Sequence, residues 1–163
     1  MRYTSARTVG PGRDPYRPLG RVEADDKTVS EILAAFNRAE QALHARDLDA
    51  LTALYAQAYN YHGLRKDDLR KIWENLFAQY PRISSTHIFS RIVAVPGKPP
   101  TAETTCTGSL WATSQETGQR EVIDSWFYEV HYLVYEDGAW RIRGHAGEPP
   151  ATLRFGVTPH PFF

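Results

Sequence analysis

Residues 121–145 read EVIDSWFYEVHYLVYEDGAWRIRGH: a long strand, a tight turn at Asp137-Gly138 and a return strand. Aromatic and β-branched residues dominate both arms, and Asp-Gly suits a two-residue type I′ loop, in which both positions take positive φ. Such a loop sets Glu136 opposite Ala139, Tyr135 opposite Trp140, Leu133 opposite Ile142 and His131 opposite Gly144. Alternation along the strands then puts Phe127, Glu129, His131, Leu133, Tyr135, Trp140 and Ile142 on one face. Asp124, Trp126, Tyr128, Val130, Tyr132, Val134, Arg141, Arg143 and His145 share the other. Both faces are too apolar for bare water, so the first is expected to meet helices and the second another subunit. A three-residue turn with a bulge would exchange these partners.

Upstream the hydrophobic period changes from two to 3.6. Strands are expected at Ser84 to Val95 and Glu103 to Ser114, before the hairpin strands Glu121 to Tyr135 and Ala139 to His145. Before them, a helix over about 28–45 carries Val29, Ile32, Leu33, Phe36 and Leu43, with Thr28 and Glu31 in the pattern of a capping box. Asp47 can cap a second short helix, and a third carries Leu69, Ile72, Trp73, Leu76 and Phe77 and stops near Tyr80 because Pro81 follows. Helices first and a meander afterwards predict an α+β fold, an antiparallel sheet packed on three N-terminal helices. Residues 1–24, with five arginines, three prolines and three glycines, read as an extended arm suited to a neighbouring subunit or a protein partner. Residues 25–146 form the expected domain, and 147–163 an irregular tail that covers the sheet edge or a neighbour.

Composition narrows the classes. At 163 residues with 42% hydrophobic content, one domain with a sizeable core is expected. Lys plus Arg equals Asp plus Glu at 19 each, which removes the electrostatic footprint of a nucleic-acid or anionic-membrane binder. The single Cys106 excludes an intrachain disulfide and reads as a buried structural thiol. No apolar run is long enough for a membrane span and no signal-peptide pattern follows Met1, so a cytoplasmic location is expected.

The order of elements, with ARDLDALTALYA at the second helix, THIFSRIVAV opening the sheet and YEDGAWRIRGH as the last hairpin, resembles the nuclear transport factor 2-like superfamily and more closely its SnoaL-like branch. The resemblance spans about residues 28–145 and implies a cone: a bent sheet wrapped round the long first helix, enclosing a cavity. The layout is similar to scytalone dehydratase and hexachlorocyclohexane dehydrochlorinase. Both have a histidine in the position that matches His87, and the dehydratase's catalytic tyrosine aligns with Tyr61. The chain departs from both at His44, where they have an aspartate. It departs from the dehydratase at Glu129, which aligns with a cavity asparagine, and near Ala112, where a second active-site histidine falls. Neither specific reaction carries over.

Acid-base candidates remain. In a cone, His44 on the first helix and His87 on the first long strand could face one cavity, one as base and one as acid, since imidazole titrates near neutrality; the other readings are an exposed helix-end residue near the C-terminal dipole for His44 and a hydrogen-bonded strand histidine for His87. Tyr61 could donate to a developing oxyanion. Glu129 and His131, two apart on one strand, could form an acid-base pair, neutralise each other, or join His87 or His62 as metal ligands; this fold usually works without metal, so no metal and no cofactor are expected. Tyr55, Tyr59, Trp73, Phe127 and Leu133 are the expected cavity lining. The expectation is an acid-base protein of dehydratase, isomerase or cyclase type for a small hydrophobic molecule, dimeric through the sheet face. Its rivals are a nonenzymatic assembly subunit and a passive ligand binder.

Overall fold

The hairpin forms as the Asp-Gly pair dictates. Asp137 and Gly138 take φ of 50° and 77°, and Leu133 faces Ile142, Tyr135 faces Trp140 and Glu136 faces Ala139. The computed structural model describes residues 5–7, 20–146 and 162–163. In chain order the elements are β1 (Ser5–Arg7), β2 (Gly20–Glu23), α1 (Asp26–Ala45), α2 (Leu48–Thr52), β3 (Asn60–Tyr61), β4 (Leu64–Arg65), α3 (Lys66–Gln79), β5 (Ile83–Val95), β6 (Thr101–Thr113), β7 (Arg120–Glu136) and β8 (Ala139–His145). Among the described residues, six strands form one sheet in the order β1-β2-β5-β6-β7-β8, and β3 and β4 pair separately. The architecture is α+β, with the helices against this sheet.

Two expectations need correcting here. The sheet is mixed rather than antiparallel, because β2 lies parallel to β5 with Val22 opposite Ile92. Part of the expected arm therefore belongs to the sheet: β2 covers what would be the open edge of β5, and β1 pairs antiparallel to β2. The rest of that arm and the tail from 147 to 161 lie outside the described residues. The cap of α1 is Asp25, whose carboxylate accepts from Thr28 N at 2.7 Å, one turn earlier than the Thr28 and Glu31 pattern places it. Asp47 caps α2 as expected, accepting from Ala50 N at 3.0 Å.

Bulges bend the sheet. The register shifts between β5 and β6 at Phe89 to Arg91, twice between β6 and β7, and between β7 and β8 at Tyr132 to Leu133. At the first shift in β6, Gly108 lies against its neighbours so closely that a Cβ would stand 2.4 Å from the Thr86 carbonyl oxygen and 2.7 Å from the Trp126 ring. Glycine alone permits that approach. α1 lies on β5 and β8 and buries Ile32, Phe36, Ala39 and Leu43 against the sheet. At its C-terminus Arg46 takes φ of 57° and sends its guanidinium to the carbonyl oxygens of Phe77, Tyr80 and Pro81, so one side chain satisfies the end of α3. Among the described residues no helix is long and apolar enough to cross a membrane.

Candidate functional site

Two bulges decide which side chains enter the interior. Opposite Thr107 the chain of β7 carries an extra residue. Tyr128 takes φ of 52° and donates its N–H to Thr107 Oγ1 at 3.0 Å. The alternation therefore slips: Asp124 and Trp126 point in, Phe127 and Tyr128 both point out, and Glu129, His131 and Leu133 point in again. Phe127, expected in the cavity lining, is 67% exposed on the outside. Trp126, expected on the outer face, is buried. The second slip lies at Arg143. His131 pairs with His145 rather than with Gly144, and His145 turns inward.

The inward residues meet a loop bolted to β8. Ile142 N–H donates to the Leu54 carbonyl at 2.7 Å, Ala56 N–H to the Ile142 carbonyl at 2.8 Å, and the Arg141 guanidinium to the Ala53 carbonyl at 2.6 Å. These bonds set Tyr55 and Tyr59 against the sheet, and Asn60 approaches Gly144 so closely that a Cβ there would lie 3.1 Å from the Asn60 carbonyl oxygen.

A linear chain of titratable groups results. Tyr59 Oη lies 2.9 Å from His145 Nε2, His145 Nδ1 lies 2.8 Å from His131 Nδ1, and Glu129 Oε1 stands 3.5 Å from His145 Nδ1. Tyr61 packs beside this chain, its ring 5.3 Å from that of His145. All five side chains are buried. Two imidazole nitrogens at 2.8 Å must share a proton, because two bare lone pairs at that distance repel. Burial, with the Glu129 charge adding to it, pushes Tyr61 up to about 12 and raises Tyr55 and Tyr59 as well. The phenols therefore keep their protons, so Tyr59 donates to His145 Nε2 and His145 Nδ1–H faces His131 and the Glu129 carboxylate. The arrangement can pass a proton between His145 and His131, with Tyr59 fixing the tautomer of His145.

The other expected residues are placed as follows. His87 points inward and is buried beside Phe36 and Phe89, and burial pushes it down to about 4, which keeps it neutral rather than poised near pH 7. His87 and His131 flank the Phe36 ring, at 5.8 and 5.9 Å between centroids. His44 is not part of this group. It is exposed, eight residues beyond Phe36 and thus about 12 Å further along α1. There it borders a separate surface groove of about 290 Å³ with Arg82, Ser84, Trp111 and Arg120. His62 is exposed as well. Tyr55, Tyr59, Trp73 and Leu133 are all buried, with Trp73 Nε1 donating to Tyr55 Oη at 3.3 Å. Cys106 is a buried thiol, pushed up to about 12 by burial.

Phe162 and Phe163, expected to cover an edge or a neighbour, pack inside instead. Trp73 meets them at 5.0 and 5.7 Å between ring centroids, Phe163 lies 6.3 Å from Phe36, and Ser85 Oγ donates to the Phe163 carbonyl at 2.7 Å. The residue that sequence reasoning missed is His145. Its one sequence signal is the preceding Gly144, since glycine within a strand often marks a bulge or a close backbone approach.

No protein-family model matches the chain, and no curated protein matches it in sequence. Solved structures do. Aln2 from a Streptomyces species superposes with a TM-score of 0.59 at 15% identity, over 75% of this chain and 90% of that one. A protein described as a candidate dehydratase of the NTF2-like family from Streptomyces avermitilis gives 0.56 at 12% identity, over 78% and 100%. A Nostoc punctiforme protein of unknown function with a cystatin-like fold gives 0.52 at 18% identity, over 76% and 91%. With its bulged sheet curled over a long first helix, the chain has the nuclear transport factor 2-like fold.

Proposed function

We propose that the chain acts on a small, largely hydrophobic organic molecule by acid-base chemistry of the dehydratase, isomerase or cyclase type, without a cofactor. The observation that carries the reading is the Tyr59–His145–His131 chain beside Glu129 on the inner face of the sheet. A basic imidazole of the pair takes a proton from the substrate and the imidazolium returns it to the leaving group or to the isomerised carbon, the Glu129 carboxylate offsets the imidazolium in between, and a phenol that keeps its proton donates a hydrogen bond to the developing oxyanion. Tyr59 Oη is hydrogen-bonded to the imidazole pair, and the Tyr61 ring lies 5.3 Å from that of His145. His87, neutral in its apolar surroundings beside Phe36 and Phe89, takes no proton in this reading. His44 has no role in this reading.

The test is a screen of hydroxylated cyclic compounds, scored by mass spectrometry for loss of water and by chromatography for isomers. His145→Gln and Glu129→Gln should each lower turnover by at least ~100-fold. Turnover unaffected by both substitutions would sink the assignment. Binding without turnover would favour the passive binder.

A second reading has its own observation. Ile88, Phe127 and Tyr128 are exposed at 45%, 67% and 73%, and they adjoin across β5, β6 and β7, because Ile88 pairs with Thr107 and Thr107 accepts from Tyr128 N–H. An apolar patch of this kind favours a protein contact through the outer sheet face, with a second copy of the chain as the proposed partner. The interior aromatic packing of Trp73 with Phe162 and Phe163 fits such an assembly subunit too.

A further inference from the structure

We propose that Glu129, His131 and His145 form a binding site for one divalent transition-metal cation of the Zn2+ class, which occupies the two Nδ1 atoms that the relay uses and so blocks it. The inference rests on that relay for its regulatory consequence, and on geometry alone for binding. Among the described residues this is the cluster of histidine, cysteine and acidic side chains whose donors converge, one atom from each lying within 4.8 Å of the others. His131 Nδ1 and His145 Nδ1 are 2.8 Å apart, and Glu129 Oε1 is 3.5 Å from His145 Nδ1. Ligands at about 2.0–2.2 Å from a cation, separated by angles of 90–110°, stand roughly 2.9–3.5 Å from one another, a spacing that the two pairs through His145 Nδ1 already approach, while the third pair, within 4.8 Å, closes by a side-chain movement of up to about 1.3 Å. Two imidazoles and one carboxylate make a donor set of borderline softness, which selects transition cations over Ca2+ or Mg2+.

A second feature points the same way. A histidine that binds a metal usually donates its other ring N–H to a fixed acceptor, which orients the ring. With Nδ1 of His145 on the cation, Nε2–H would donate to Tyr59 Oη, already 2.9 Å away and held by the loop bonded to β8. The change balances simply. The cation occupies both Nδ1 lone pairs, the His145 Nδ1 proton leaves to solvent while Nε2 takes one up in its place, and Tyr59 keeps its own proton and turns from donor to acceptor. No redox step is involved, and the dication adds two positive charges to a pair of neutral imidazoles beside the Glu129 carboxylate.

The test uses the intact chain, stripped with chelator and dialysed against ZnCl2 alone, with bound metal counted by mass spectrometry and affinity read by calorimetry. One Zn2+ per chain is expected. His131→Gln and His145→Gln should each weaken binding at least ten-fold, while His44→Gln and His62→Gln leave it unchanged. Tyr59→Phe, which removes only the orienting acceptor, should weaken it roughly ten-fold. Because the histidine variants could fail to fold, histidine-selective 15N NMR of the unmodified chain decides independently. Of the six histidines, two should shift at Nδ1 on adding Zn2+. No bound Zn2+, or shifts confined to exposed histidines, overturns the inference. A chain that binds Zn2+ at this site yet shows no turnover in the compound screen leaves the metal site standing and removes only the relay's catalytic role.

Discussion

Tyr59 shows how much depends on one hydroxyl. Its Oη is the hydrogen-bond partner of His145 Nε2, in a setting where every neighbour is buried. Tyr59→Phe keeps the ring packing against Tyr55 but leaves that nitrogen without its phenol, which should cost about 1–3 kcal/mol in urea unfolding. A stability equal to that of the parent chain would mean that the bond contributes nothing. His87 makes a pH-dependent contribution whose sign follows from burial. The folded state holds it at about 4, against its ordinary value of 6.5, so between those limits the unfolded chain binds more protons. Its contribution is fully present above about pH 6.5 and is lost as pH falls through about 4. The pH slope of stability should be shallower in His87→Gln than in the parent, by on the order of 2–3 kcal/mol between pH 7 and pH 4. Equal slopes in urea titrations at the two pH values would refute this origin.

At the scale of elements, the bulges do the positioning. Gly108 lets β5, β6 and β7 approach where the sheet bends, and the alternation of β7 slips beside it. Gly108→Ala must push a backbone carbonyl and an indole aside, so a loss of about 1–3 kcal/mol is expected, together with a change in the near-ultraviolet signal of Trp126. A chain that accepts this alanine at no cost would show that the close approach is not needed. The caps behave differently, because they act locally. Asp25 and Asp47 each satisfy one helix N-terminus through their own side chains, whereas Arg46 closes α3 from another element.

For the whole molecule, two surfaces matter, one inside and one outside. Phe163 is fully buried between Trp73 and Phe36, so Phe163→Ala should open a cavity and cost about 3–5 kcal/mol by thermal or urea unfolding. A marginal effect would mean that the interior closes without it. Outside, the Ile88, Phe127 and Tyr128 patch predicts association. Sedimentation should find a dimer that becomes a monomer when all three are changed to serine, and a monomeric parent chain would remove the assembly reading.

The helices, the four long strands and the Asp137-Gly138 turn were legible because each is written in local patterns: apolar spacing, capping aspartates, a proline stop, and a pair of residues that tolerate positive φ. The inward direction of Glu129, His131 and Leu133 was legible for the same reason, since alternation runs unbroken from 129 to 133. Phe127 and His145 were misplaced because a bulge adds one residue to one strand only. Its position depends on what the neighbouring strand presents, here Thr107 for β7 and the slipped pairing of Tyr132 with Gly144 for β8. His44 was misplaced because helical spacing gives a residue's angle round the axis but not where the sheet ends along it. Local sequence thus determined the elements and the chemical groups available. Only the tertiary structure decided that Tyr59, Glu129, His131 and His145 meet, because that meeting depends on two register slips and on a loop hydrogen-bonded to β8.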